Sequence, residues 1–189
     1  MTKQTDSYPA NFKPNFTSAF SVTVPQPLAA AFSVLGTTAG LERSILLSPM
    51  ASAFEPLAKD AVAVEGKLED AFLRTAPAGS GEGLPRQSFK FTETVKMVPR
   101  LAFLDVIVNL QGTLTWDEER HVVLYETVAD MVTVRKVRWF EAMDGPGGPA
   151  TKVSETIEGQ CPALLQFITQ RTTRSAHQEQ MNLYATLFE

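Results

Sequence analysis

Two glutamates interrupt apolar strand faces, and their type and setting suit acid–base chemistry. In Gln87–Met97, Phe89, Phe91, Glu93, Val95 and Met97 alternate onto one face; Ser88, Lys90, Thr92, Thr94 and Lys96 take the other. In Thr151–Gly159, Val153, Glu155 and Ile157 share one face, opposite Lys152, Ser154, Thr156 and Glu158. Desolvation disfavours an ionised carboxylate, so a glutamate among such neighbours is tuned towards proton transfer near neutral pH. The competing reading is structural: a bulge turns the carboxylate outward, or a buried arginine pairs with it. Both readings stay open from the sequence, with Glu155 the first candidate and Glu93 the second.

Arg171 and Tyr125 complete the candidate set. Leu164, Ile168, Arg171, Ser175, Gln178, Asn182 and Ala185 recur at three- and four-residue steps, a helical stripe with apolar ends and a polar centre. If that centre faces a partly wet cavity, Arg171 meets Glu93 or Glu155, or holds a ligand carboxylate or carbonyl; if the helix is rotated, these groups are solvated. Tyr125 and Glu126 point to opposite faces of "VLYETV", so one of them lines a cavity, and a tyrosine there polarises a carbonyl or packs with its hydroxyl at the rim. His177 lies off the stripe and reads as a surface or capping group. Phe89, Phe91, Val95, Val153, Ile157, Ile168, Ser175 and Gln178 are the expected ligand-contacting residues. Trp116 and Trp139 read as packing, and Cys161 as a small buried hydrophobe.

These residues need elements to hold them. Phe16–Val24 alternates as a half-buried strand, and Pro25 and Pro27 end it. Leu28–Leu35 and Leu41–Leu47 read as short helices. Asp60–Leu73 is ambiguous between strand and helix, with Val62–Val64 the best strand fragment. Arg74–Pro85 is a loop rich in Gly, Pro and Ser. Its Gly79, Gly81 and Gly83 are no dinucleotide fingerprint, because a proline and a strand follow where a helix is required. Consecutive strands come next: Gln87–Met97, Phe103–Trp116, "HVVLYETVA" from His121, "VTVRKVRWFEAM" from Val132, and the closing strand Thr151–Gly159. From Ala163 onward no Gly or Pro occurs, which allows a helix of about 25 residues. Residues 1–15 read as a loose leader before a single domain over 16–189.

Bulk properties narrow the function. The chain has 189 residues, 44% of them hydrophobic, and a net charge of −4, which argues against a nucleic-acid surface. "RKVR" at Arg135–Arg138 is a tight basic cluster that a strand splits between two faces, as surface or pair-forming charge. No apolar run is long enough to span a bilayer, and the N-terminus lacks the apolar core of a signal peptide. A single cysteine allows no internal disulfide and fits a reducing compartment, so a cytoplasmic location is expected. No zinc spacing, GxSxG elbow or phosphate loop occurs, and no cofactor or metal is expected.

The order strand, two short helices, meander and long helix describes an α+β helix-grip fold: six to seven curved antiparallel strands wrapped around the C-terminal helix. "FSVTVPQPLAAAFSVL", "RWFEAMDGPGGPATKVSETIEG" and the terminal helix resemble the START-like superfamily, also called SRPBCC. It includes the birch-pollen-allergen family and the polyketide cyclase/dehydrase group. "ETIEGQCPALLQFITQRTTRSAHQEQM" is similar to a fungal branch of that superfamily whose members mostly lack an assigned function. The resemblance implies a cavity for a lipophilic small molecule. It also implies a cofactor-free cyclisation, dehydration or isomerisation of a polyketide- or terpenoid-type metabolite. The alternatives are a non-catalytic carrier of a lipid, sterol or pigment, and an interaction module with a filled core. A homodimer is compatible with this reading; integral membrane insertion is not.

Overall fold

The computed structural model describes residues 12–79, 83–95, 106–129 and 131–189. Strand β1 (Phe16–Val24) leads into helix α1 (Leu28–Leu35), a single 3-10 turn and helix α2 (Leu41–Leu46). Strands β2 (Ala51–Val62), β3 (Leu84–Val95), β4 (Val106–Asp117), β5 (Val122–Ala129), β6 (Val132–Gly145) and β7 (Gly148–Gln160) come next. Helix α3 (Gln166–Asn182) lies between two 3-10 turns, so the expected long terminal helix is broken at both ends. All pairings are antiparallel, in the order β1-β7-β6-β5-β4-β3-β2. This curved sheet with α1, α2 and α3 on its concave side is the expected helix-grip fold.

Strand β2 differs most from the sequence expectation. It covers Ala51–Val62, not Val62–Val64, and an irregular segment with one 3-10 turn at Leu68–Asp70 connects it to β3. Most of β2 is exposed, so it lacks the apolar alternation that marks a strand, and it contains Pro56. Proline is tolerated there because β2 is an edge strand paired only to β3, with register shifts on either side of Pro56.

Alternation sets the register elsewhere. Along β7, Thr151, Val153, Glu155, Ile157 and Gly159 are buried. Gly159 sits opposite Phe16, and any Cβ there would fall 1.9 Å from the Phe16 ring, so only glycine lets β1 close on β7. The concave core joins Phe32 and Leu35 of α1 to Leu114, Trp116, Val123, Phe140 and Val153.

The convex side is covered as well. Residues of the segment between β2 and β3 pack Leu68 and Leu73 onto Val122, Leu124 and Val137. Charged groups tie that segment down: both Glu126 carboxylate oxygens accept from the Leu73 N–H, and Arg86 bonds Asp60 and the carbonyls of Leu73 and Ala76. Residues 12–15, expected to belong to a loose leader, are also tied. Asn15 bonds the backbone of Gly159 and Cys161, and Gln166 bonds the Asn15 carbonyl.

Candidate functional site

A buried ion network and an apolar pocket meet on the concave face. The β6–β7 hairpin places Arg138 directly opposite Glu155, and the next row inward brings Tyr125, Lys136 and Ile157 into line across β5, β6 and β7. Because strand side chains alternate, Lys136 and Arg138 share the inner face while Arg135 goes to the convex side, where it bonds the carbonyls of Ala71 and Glu69. The basic cluster is therefore split between faces, and both halves are paired.

Glu155 is the hub of the network and is only 1% exposed. Its Oε1 accepts from Arg138 Nε at 2.5 Å and from the Tyr184 hydroxyl at 2.5 Å. Its Oε2 lies 3.1 Å from His177 Nε2 and 3.4 Å from Lys136 Nζ. Burial alone would raise the Glu155 carboxyl, but Arg138, then Lys136 and the His177 hydrogen bond hold it well below the usual carboxylate range. Arg138 also donates to Tyr184 Oη at 2.6 Å and to the Leu35 carbonyl at the end of α1, an acceptor the helix itself leaves unsatisfied. Burial pushes the Tyr184 hydroxyl up well above its ordinary value, so it remains a donor to Glu155.

His177 is buried and bonded at both ring nitrogens: Nε2 to Glu155, and Nδ1 to Ser18 Oγ at 2.8 Å. An ionised Glu155 can only accept, so Nε2 carries a proton towards it, and the Ser18 hydroxyl, able to donate or accept, partners Nδ1. A histidine so satisfied is fixed in place and holds no spare lone pair for a ligand.

Glu93 is placed differently. A pocket of about 1140 Å³ is lined by Phe91, Val108, Leu110, Val134, Leu165 and Ile168 among others, with Glu93 on its wall. A second pocket of about 150 Å³ lies deeper, lined by Phe89, Tyr125, Lys136, Ile157, His177 and Gln180 among others. Met50, Phe91, Glu93, Leu110, Val134 and Thr173 belong to both walls, so the two adjoin as one space: a wide chamber with a narrow floor, both mostly apolar, the floor carrying Tyr125, Lys136 and His177. Desolvation raises the Glu93 carboxyl to about 7, against the opposing field of Lys136. Tyr125 lies under two cations, with Lys136 Nζ 4.4 Å and the Arg138 guanidinium 5.0 Å from its ring centroid, and its hydroxyl oxygen accepts from Arg138 at 3.3 Å.

The structure brings Glu93, Tyr125, Phe89, Phe91 and Ile157 to the deep space, and Ile168 to the chamber. Glu155 and Val153 sit behind the pocket walls rather than on them. The Val95 side chain lies outside the described residues, as does Met97. Arg171 and Ser175 are exposed and Gln178 is half-buried, none of them on a pocket wall. The expected stripe is thus off by about one residue, or about 100° around the helix. Thr169, Thr172, Thr173, Ala176, His177 and Gln180 face inward instead. The guanidinium that meets Glu155 comes from Arg138 of β6, not from Arg171 of α3. Sequence reading missed Arg138, Lys136, Tyr184 and Ser18. One signal was present: in "VTVRKVRWF" the face of Val134 and Phe140 is interrupted by Lys136 and Arg138, just as glutamates interrupt their own strand faces.

Among the described residues no group of three or more His, Cys, Asp and Glu side chains converges as a metal-ligand set. No described helix is long and apolar enough to cross a membrane.

Comparison with known proteins adds the fold. The chain is similar to the ZhuI aromatase/cyclase from Streptomyces sp. R1128, with 14% identity, a TM-score of 0.63, and coverage of 90% of this chain and 92% of that one. It also matches the di-domain aromatase/cyclase StfQ of steffimycin biosynthesis, with 14% identity and a TM-score of 0.49, over 90% of this chain and 45% of that one. No family model and no curated sequence matches. At 14% identity the likeness to ZhuI is one of fold, and neither structure bears on the fungal branch that the C-terminal pattern resembles.

Proposed function

We propose that the protein binds a lipophilic polycarbonyl compound, of the polyketide class, and catalyses its cofactor-free cyclisation by proton transfer through Glu93. The observation that carries this reading is the placement of one near-neutral carboxylate on the wall of both the chamber and its floor, a floor that Lys136 and Tyr125 also line. The apolar chamber takes the body of the ligand, and the floor takes its oxygen-bearing end. The Glu93 carboxylate removes a proton from the carbon between two carbonyls. Lys136 Nζ and the Tyr125 hydroxyl donate to the oxygen where the enolate charge develops. The enolate carbon then attacks a second carbonyl of the same chain, forming the ring bond, and the new alkoxide takes back the proton held on Glu93. The Glu93 carboxylate then takes the second proton of the attacking carbon as the hydroxyl leaves, so a carbon–carbon double bond forms and one water is lost.

Glu155 acts in this scheme as a positioning residue. Held ionised by Arg138 and Lys136, it anchors Lys136 and His177, which form part of the floor. The likeness of fold to an aromatase/cyclase agrees with this chemistry. The test is incubation with a linear poly-β-carbonyl chain, followed by mass spectrometry. A ring-closed product lighter by one water should form with the wild type and not with Glu93→Gln. Equal product with both proteins would overturn the role of Glu93. Binding of the chain with its release unchanged would favour the carrier reading, which needs only the apolar chamber.

A further inference from the structure

Several exposed apolar side chains lie on or beside the chamber wall. Ile107 at the start of β4 is 69% exposed, Met131 in the β5–β6 turn 62%, and Phe167 on the first turn of α3 77%. Leu164, just before α3, is 95% exposed. Ile107 and Met131 line the chamber itself, and Leu165 and Ile168, the chain neighbours of Leu164 and Phe167, do so as well. Four exposed hydrophobes from three separate segments therefore lie on the chamber wall or one residue from it along the chain. Single exposed apolar residues are ordinary, but several of them gathered beside one apolar cavity mark an interaction surface.

Charge identifies the partner. Arg171 and Arg174 lie four and seven residues beyond Phe167, so all three are on one helix face. Both arginines are exposed and make no ion pair among the described residues. From Cys161 to Gln178 the sequence holds no acidic residue, although the chain as a whole carries a net charge of −4. Apolar residues at the tip with cations behind them match the depth profile of an anionic bilayer surface, where apolar groups enter the acyl boundary and arginines meet the phosphates. A second copy fits less well, since a twofold contact through this surface would bring the arginines of both copies into one interface.

We propose that this surface docks the chamber onto an anionic phospholipid surface, so that a lipophilic ligand passes between membrane and pocket without crossing water. The proposal does not depend on the chemistry assigned to Glu93. The full chain should co-sediment with phosphatidylcholine vesicles containing phosphatidylserine, more weakly with phosphatidylcholine alone, and less as salt rises. The double variant Leu164→Ser/Phe167→Ser should lose about tenfold or more in affinity, with an unchanged circular dichroism spectrum because both side chains face solvent. Arg171→Gln/Arg174→Gln should lose the preference for phosphatidylserine. Absence of vesicle binding would overturn the proposal, as would binding indifferent to the Leu164/Phe167 change. A dimer in sedimentation equilibrium that this double variant dissociates, without vesicle binding, would assign the surface to a second copy instead.

Discussion

Replacing Glu93 by glutamine should make the protein more stable at alkaline pH, and its surroundings set the size of the gain. Desolvation lifts the Glu93 carboxyl from 4.5 to about 7 in the folded chain. The folded state therefore holds this proton more tightly than the unfolded chain does. Below pH 4.5 both states are protonated and the residue costs nothing. As pH rises towards 7 the unfolded chain ionises first, and stability falls until the folded carboxyl has ionised too. The gap between 4.5 and about 7 corresponds to about 3.4 kcal/mol. Glu93 is half-buried, so solvent screening reduces this to about 2 kcal/mol. Glutamine keeps the shape and removes the titration. Urea unfolding of both proteins at about pH 8.5 and about pH 4 isolates the effect, because every other titrating group cancels in the difference. The expected gain is about 2 kcal/mol at the higher pH, or about 4–8 °C in Tm, and close to zero at the lower. A variant less stable than wild type at high pH, or an equal difference at both, would refute the argument that Glu93 is held in a desolvating pocket. A residue kept at such a cost to stability is a mark of function.

Glu155→Gln should do the opposite, destabilising by about 3–5 kcal/mol because the Arg138 charge loses its counterion inside the core. The pair Arg138→Met/Glu155→Leu should recover much of that loss in denaturant melts, and failure to recover it would mean that the network contributes net stability. Ring closure by the wild type should rise with pH and level off above about 7, since the carboxylate is the active form of Glu93, and initial rates across pH check this. Gly112→Ala places a Cβ 2.8 Å from the Phe89 ring, so a loss of about 1–3 kcal/mol in stability, together with weaker ligand binding by titration calorimetry, is expected. Arg171→Gln should leave stability within about 0.5 kcal/mol of wild type in the same melts, because its side chain faces solvent.

Much of the fold was legible because most strands bury one face. The alternation in "FTSAFSVTV" matched β1 to the residue, Thr151–Gly159 lies within β7, which starts three residues earlier, and α1 matched Leu28–Leu35. Strand β2 was not legible, because an exposed edge strand has no buried face to impose a pattern and can carry a proline. The phase of α3 was misread for a related reason. The 3-10 turn over Ala163–Leu165 rotates the chain before the helix starts, and the inward face is built of threonine, alanine and histidine rather than large hydrophobes. Glu93 and Glu155 were both recognisable as intruders on apolar faces, but their different fates depend on what lies across the sheet. Glu155 faces Arg138 through a hairpin register whose consequence was not drawn from the sequence, and Glu93 pairs with Val108 beside an open space. His177 was read as a surface group because a lone helical histidine carries no signal of the Ser18 hydroxyl 159 residues earlier in the chain.

The most direct test of the central claim is deuterium exchange at the carbon between the carbonyls of a long-chain β-diketone, monitored by NMR in heavy water with the wild type, Glu93→Gln and Lys136→Met. Exchange catalysed by the wild type, lost with Glu93→Gln and strongly slowed with Lys136→Met, while all three proteins still bind the diketone, is the result that proton transfer at the pocket floor predicts. Exchange at the same rate in wild type and Glu93→Gln would contradict it.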